Sequence, residues 1–113
     1  DVAAAFGCTA QLTYENAHST VANEAAASER AMRATREVLG DDALVRYQGS
    51  MPGEDFSEYL KRVPGAFAFL GSGTADPNGK VWPQHSCFYD PDESVLVRGS
   101  MLAAQYAVDF LAE

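Results

Sequence analysis

Short apolar segments with the pattern of β-strands constrain the fold most, because they alternate along the chain with segments that have helical periodicity. Residues 8–14 alternate small or apolar side chains with polar ones, and residues 44–48 form a second short segment of this kind. Residues 66–70 are continuously apolar and end at a Gly-Ser-Gly sequence. A period of two is typical of a half-buried strand, and a continuous apolar run is typical of a strand buried on both faces. These patterns predict three strands.

Segments with helical periodicity lie between and after these runs. The first predicted helix runs from an N-cap at Asn23 to Leu39, with Gly40 at its C′ position. Its apolar face is formed by Ala27, Ala31, Ala34 and Val38, and its other sides carry Ser28, Arg30, Arg33 and Arg36. The second predicted helix runs over about residues 54–63. The third starts near Asp92, with Asp90 or Asp92 as a possible cap and Pro91 acceptable at its first position. It is apolar almost all round, so we expect it to be well buried. The predicted elements follow the order βαβαβ, and a long loop over residues 73–89 then leads to the final helix. This order predicts a layered α/β sheet covered by helices.

Composition limits the class of protein. The chain has 113 residues, a formal net charge of −8 and 47% hydrophobic residues, which indicates at most one globular domain. Such an acidic chain is poorly suited to nucleic acid or anionic membranes, and no run reaches the roughly 20 apolar residues of a membrane span. The two cysteines are too few for a disulfide framework and favour a cytoplasmic location. The first residue is Asp rather than Met, so we expect a fragment or a processed product.

His85 is the strongest candidate metal ligand, because neutral imidazole is the commonest one and this histidine stands in the loop before the last helix. Cys8, His18 and Cys87 are the other soft-ligand candidates, but only His85 and Cys87 are close in sequence. Structural zinc sites show tightly paired ligands, so a self-contained four-ligand site is not expected. The cysteines are interpreted as packing residues, and a Cys-His nucleophile is a weaker alternative because neither cysteine has activating neighbours.

The Gly53-Glu54-Asp55 segment opens the second predicted helix and has two interpretations. Its carboxylates could complement the helix dipole and cap the helix. Alternatively, the segment could orient a polar substrate or a metal-bound histidine. Nearby glycine-rich sequences match no phosphate-binding motif, and the residues alone leave both interpretations open.

Three motifs give the chain a family resemblance. They are residues 51–60 (MPGEDFSEYL), residues 63–71 (VPGAFAFLG), and His85-Ser86 followed by residues 89–93 (YDPDE), with further similarity at residues 6–10 and 21–23. In this order and spacing they resemble the M20 metallopeptidases, most closely the amidohydrolase branch that includes N-acyl-amino-acid, hippurate and indoleacetyl-amino-acid hydrolases. The chain departs from the family at Cys87, where proline is usual, and at Pro91, where an aromatic residue is common.

The resemblance implies a role for each part of the chain. Residues 1–17 resemble the last strand of an inserted lid or dimerisation domain, and residues 18–113 resemble the C-terminal segment of the catalytic domain. The metal-ligand role carries over to His85 alone, and Gly53, Glu54 and Asp55 match a substrate-binding loop. The other ligands and the catalytic glutamate of the family lie upstream, so no catalytic residue is assigned within these 113 residues.

The resemblance therefore implies a C-terminal fragment of a metal-dependent amidohydrolase that cleaves the amide bond of N-acyl amino acids. Because such a fragment would expose the edge strands of its sheet, we also expect the isolated chain to form a homodimer. Two divalent ions, zinc or manganese, would polarise the amide carbonyl and lower the pKa of a bridging water. We expect the fragment alone to be inactive. The alternative is a stand-alone α/β binding or self-association module derived from such an enzyme.

Overall fold

The computed structural model describes residues 2–15, 19–49 and 53–113. Its elements are α1 (Val2–Ala5), α2 (Ala25–Leu39), a 3-10 turn (Asp41–Ala43), α3 (Ser57–Leu60) and α4 (Ser94–Ala112). The predicted long loop before the last helix is confirmed, and it extends without regular structure from residue 61 to residue 93 apart from two isolated bridges.

The predicted layered α/β sheet is wrong. The described residues contain no strand: segments 8–14, 44–48 and 66–70 are all irregular. Their only β-type pairing consists of two isolated antiparallel bridges, Gly73 to Pro91 and Ala75 to Val81. The apolar patterns are real, but a strand is stable only when a neighbouring strand accepts and donates its backbone hydrogen bonds. Among the described residues, none of the three segments has such a neighbour.

Helix α2 has clear start and stop signals. The Glu24 carboxylate accepts hydrogen bonds from the backbone N–H groups of Ala26 (3.0 Å) and Ala27 (2.7 Å), and these bonds lower the pKa of Glu24. The cap is therefore Glu24, one residue after the predicted Asn23. The helix ends at Gly40, whose φ of 88° is readily adopted by glycine. The prediction of this helix is confirmed with a shift of one residue in its cap.

Asn23 performs a different task from the predicted cap. Its side-chain amide donates to the carbonyl of Phe67 (2.9 Å) and accepts from the N–H of Phe67 (2.8 Å). The N–H of Glu24 donates to the carbonyl of Gly65 (2.9 Å). These bonds attach the apolar segment at residues 65–67 to the start of α2, and they satisfy backbone groups that a strand partner would otherwise satisfy.

Helix α2 packs against α4 through one face. Ala27, Arg30 and Ala34 are its buried residues, at spacing i, i+3 and i+7. The prediction that Arg30 lies outside the packed face of this helix is wrong, because Arg30 is buried together with Ala27 and Ala34. Its guanidinium lies against the rings of Tyr106 and Phe110, at 5.4 Å and 5.1 Å from their centroids. Cation–π contacts of this kind stabilise the packing of an arginine between helices.

The carboxylate of Glu113 completes this contact. It pairs with the guanidinium of Arg30 and also accepts a hydrogen bond from Arg33 (2.7 Å). These two arginines, with the Arg30 bonds first, lower the pKa of Glu113 to about 2. The Tyr106 hydroxyl accepts a further bond from Arg30 (3.2 Å). A charged cluster therefore fixes the end of α4 against the middle of α2.

Little apolar surface is buried. The prediction that α4 is well buried is wrong, because Val95 is its only buried residue. The large exposed side chains of α4 are Leu96, Val97, Met101, Val108, Phe110 and Leu111. Among the described residues, the buried hydrophobic side chains are only Ala27, Ala34 and Val95. The radius of gyration is 19.8 Å, whereas a compact chain of this length has about 13 Å. The described residues thus leave many large apolar side chains uncovered.

Helix α4 also has the length and mean hydropathy of a membrane-crossing helix, although no run of uninterrupted apolar residues reaches that length. Length and composition alone are weak evidence, since core helices of soluble proteins pass the same test.

Candidate functional site

His85 lies at the tip of a turn in the segment before α4. The N–H of Ser86 donates to the carbonyl of Pro83 (3.3 Å), and the N–H of Tyr89 donates to the carbonyl of Ser86 (3.1 Å). His85 is the one described non-glycine residue with a positive φ, at 68°. Such a conformation costs free energy in a non-glycine residue and is found most often where the surrounding structure enforces it. The side chain of His85 is exposed, and no described residue makes a hydrogen bond to its imidazole.

Backbone and side-chain bonds close the base of this segment. The N–H of Thr74 donates to the carbonyl of Asp90 (3.1 Å), and the N–H of Asp92 donates to the carbonyl of Ser72 (2.7 Å). The hydroxyls of Ser72 and Tyr89 share a further hydrogen bond of 2.7 Å. Residues 72–74 and 90–92 therefore run side by side, and the segment between them forms a closed loop.

The base of the loop leads directly into α4. The carboxylate of Asp92 accepts a hydrogen bond from the N–H of Ser94 (2.9 Å), and bonds from Ser94 lower the pKa of Asp92. Of the two predicted caps, Asp92 is thus the one whose side chain bonds to the first helical residue, although the N-cap position itself is Glu93. Pro91 does not occupy the predicted first helical position, because it lies in the bridge to Gly73.

Asp76 organises the first half of the loop. Its Oδ1 accepts from the N–H groups of Asn78 (2.8 Å) and Lys80 (3.0 Å), and its Oδ2 accepts from the indole Nε1–H of Trp82 (3.1 Å). The bond from the Lys80 backbone contributes most to the lowered pKa of Asp76. One carboxylate thus ties a tight turn to the indole that follows it.

Two aromatic rings join the halves of the loop. The rings of Trp82 and Phe88 lie 4.9 Å apart at an angle of 41°, which is a favourable aromatic contact. The ammonium of Lys80 lies 3.4 Å from the centroid of the Trp82 ring. Since Trp82 and Phe88 each stand three residues from His85, the ring pair closes the turn that carries the histidine.

Among the described residues, His85 is the candidate for one ligand position of a metal centre, because its imidazole is exposed and accepts or donates no hydrogen bond within that part of the chain. Within the described residues, however, no three His, Cys, Asp or Glu side chains are grouped where they could hold a metal ion. Cys8 and Cys87 are both exposed, so the interpretation of these cysteines as buried packing residues is wrong. His18 lies outside the described residues.

The Gly53-Glu54-Asp55 segment precedes α3, which is much shorter than the helix predicted for residues 54–63. The Glu54 carboxylate accepts from the N–H of Phe56 (3.0 Å), and the Glu54 carbonyl accepts from the buried hydroxyl of Ser57 (3.0 Å). This geometry favours the capping interpretation for Glu54. Gly53 and Asp55 are exposed. No hydrogen bond or ion pair between described residues joins this segment to the loop of His85, and its role in substrate binding stays a prediction.

Sequence reasoning missed Asp76 and Trp82. The signal was present in Asp76-Pro77-Asn78-Gly79, because such a sequence is typical of a tight turn in which the first side chain accepts backbone hydrogen bonds. The structure shows that turn, with Gly79 at a φ of 80°.

Comparison with known proteins supports the resemblance. The thermostable carboxypeptidase 1 of Saccharolobus solfataricus is 28% identical over 106 residues, which cover 93% of this chain and 26% of that protein. The putative amidohydrolase YhaA of Bacillus subtilis is 26% identical, with 92% and 26% covered. The IAA-amino acid hydrolase ILR1-like 2 of Arabidopsis thaliana is 35% identical over 81 residues, with 72% and 18% covered.

The chain spans about a quarter or less of the length of these relatives. No solved structure matches it. The sequence profile of peptidase family M20/M25/M40 matches residues 5–109, almost the whole chain. The predicted resemblance is confirmed: the chain belongs to the M20/M25/M40 family of peptidases.

Proposed function

We propose that these 113 residues form the C-terminal part of a metal-dependent amidohydrolase that cleaves the amide bond of N-acyl amino acids, and that they are inactive alone. The observation that carries the proposal is the exposed imidazole of His85 on its closed loop, in an M20 chain whose described residues contain no group of three side chains that could hold a metal ion.

The names of the relatives support the substrate class. They include a putative amidohydrolase, IAA-amino acid hydrolases and an N-acetyldiaminopimelate deacetylase of Brevibacillus brevis that is 30% identical over 101 residues. The last two names describe attack on the amide of an N-acylated amino acid. Two thermostable carboxypeptidases also match, so peptide hydrolysis is the competing substrate class.

The uncovered apolar surface supports the proposed division of the enzyme. Side chains such as Leu96, Met101 and Phe110 lie on one long exposed helix. Exposed apolar patches of this extent usually mark contact surfaces. In the proposal the remainder of the enzyme covers this helix, and the intact enzyme is a cytoplasmic homodimer.

Members of the family are generally metal-dependent, and in the proposal the intact enzyme binds two divalent ions, zinc or manganese. Such ions act as Lewis acids and activate water when bound. In the proposal this chain contributes the imidazole of His85 as one metal ligand, and Gly53, Glu54 and Asp55 lie beside the substrate. A catalytic metal needs about three protein ligands, so one imidazole does not retain it.

The test compares two proteins, the 113-residue chain and the enzyme encoded by the complete reading frame. Hydrolysis of hippurate and of an unblocked dipeptide is measured for each with added zinc or manganese. We expect hippurate hydrolysis only by the complete enzyme, and its loss in His85→Ala. Hydrolysis by the isolated chain, or full activity of His85→Ala, would refute the proposal. A preference for the dipeptide would retain the metallohydrolase and reject the N-acyl substrate class.

A further inference from the structure

We propose that Asp76 and Trp82 are positioning residues for His85: the carboxylate fixes the indole, and the indole holds the histidine loop in its metal-binding conformation. The inference rests on the proposed function, in which His85 binds the metal. It assigns a role to two side chains that touch neither the metal nor the substrate.

The first step is the attachment of Trp82. Asp76 accepts the indole N–H at 3.1 Å while two backbone N–H groups, at 2.8 Å and 3.0 Å, hold the same carboxylate in place. The carboxylate therefore cannot turn away from the indole without losing the bonds of its own turn. Hydrogen bonds to ionised groups are stronger than neutral ones. Trp82 is accordingly fixed relative to the backbone of residues 76–80.

The second step links Trp82 to His85. The Trp82 ring contacts Phe88 at 4.9 Å, so the two ends of a seven-residue segment are joined with His85 at its centre. The segment also holds His85 at a φ of 68°. A histidine on a free loop would relax towards negative φ, where non-glycine residues are more stable. The ring pair therefore opposes this relaxation, and any change that releases Trp82 lowers the fraction of loops ready to bind metal.

Two substitutions in the complete enzyme test the bond. Asp76→Asn preserves shape and keeps one oxygen for the backbone, but it removes the negative charge and places an amide N–H₂ or a neutral oxygen opposite the indole. Trp82→Phe keeps an aromatic ring for Phe88 and deletes the N–H. Lys80→Gln is the matched control, because it removes the cation above the Trp82 ring and leaves the indole bond intact.

The first measurement is the zinc dissociation constant, by competition with a chromophoric chelator, together with bound zinc after dialysis. Supporting residues around metal ligands typically change metal affinity 10–100-fold. We expect about ten-fold weaker zinc binding in each single variant. The double variant should also bind zinc about ten-fold more weakly than the parent, and not by the product of the two single effects. Lys80→Gln should bind zinc as the parent does.

The second measurement separates positioning from general damage to the fold. Saturating zinc should restore kcat in Asp76→Asn but not in His85→Ala, and the thermal midpoint of the metal-free enzyme should change equally little in Asp76→Asn and Lys80→Gln. Unchanged zinc affinity in both single variants, or independent effects that multiply in the double variant, would overturn the inference. If His85→Ala itself binds zinc and hydrolyses substrate normally, the proposed function fails instead.

Discussion

The charged cluster between α2 and α4 predicts a specific acid response. Arg30 and Arg33 lower the pKa of Glu113 from 4.5 to about 2, with Arg30 as the larger cause. A carboxyl with a lowered native pKa stabilises the fold above its unfolded pKa, and this stabilisation is lost as the pH falls through the native pKa. The contribution of Glu113 should therefore be complete above pH 5 and should disappear between about pH 4.5 and pH 2.

The size of the effect can be expressed as proton occupancy. At pH 3, a carboxyl with a pKa of 4.5 is about 97% protonated, whereas one with a pKa of about 2 is only about 10% protonated. Nearly one proton per molecule should therefore be taken up on unfolding at this pH because of Glu113 alone. Since Glu24, Asp76 and Asp92 also have lowered pKa values, the contribution of Glu113 must be isolated by substitution.

Glu113→Gln is the isolating variant. Urea unfolding followed by circular dichroism, with dilute chain to limit association, should show it less stable than the parent at pH 7, and the difference should shrink as the pH approaches 2. Carbon-13 NMR of the labelled glutamate carboxyls should report the native pKa directly. Arg30→Met should raise that pKa more than Arg33→Met, because Arg30 is the more buried of the two arginines and supplies two of the bonds. A Glu113 that titrates near 4.5 in the folded parent, or the reverse order of the two arginine variants, would refute the reasoning.

Two further predictions concern the backbone and the exposed surface. Gly40→Ala should destabilise the chain by about 1–3 kcal/mol, because Gly40 combines a φ of 88° with a ψ of 165°. The control is Gly53→Ala, because Gly53 has a negative φ and open space around its Cα. Equal urea midpoints for the two variants would contradict the argument. The isolated chain should self-associate through its exposed apolar side chains, and not through the edge strands of a predicted sheet that is absent from its described residues. Light scattering across a wide concentration range should show oligomers, and a monomer throughout would exclude this.

The sequence predicted local structure where the signal was itself local. Helix α2 was placed to within one residue of its cap because its apolar spacing and Gly40 act within a single helix. Asp92 was one of two predicted caps of α4, and its carboxylate bonds to the N–H of Ser94, only two residues away. The strand prediction for residues 66–70 was wrong, because an apolar run indicates only that the segment needs a covering partner and does not identify that partner. In the structure that need is met in part by the Asn23 side chain, which pairs with Phe67 from 44 residues away.

The burial of single side chains shows the same limit. Arg30 was predicted to lie outside the apolar face of α2, but Tyr106, Phe110 and Glu113 form a site that buries it. Helix α4 was expected to be buried because it is apolar, yet Val95 is its only buried residue. Periodicity identifies the side chains that can be buried, but burial depends on a covering surface, and the sequence of one element does not contain its partner.

The candidate site combines both situations. His85 could be singled out because a histidine in a loop before a helix is visible in sequence, and the family resemblance assigned its chemistry. The bond from Trp82 to Asp76 could not be derived from residue type, since neither side chain matches the family motif that carries His85. Yet that bond spans only six residues and follows from a turn sequence that could have been interpreted. The ligand was thus recognisable by resemblance and its support by local physics. The remaining ligands are recoverable from neither, because the described residues contain no group of three His, Cys, Asp or Glu side chains that could hold a metal ion.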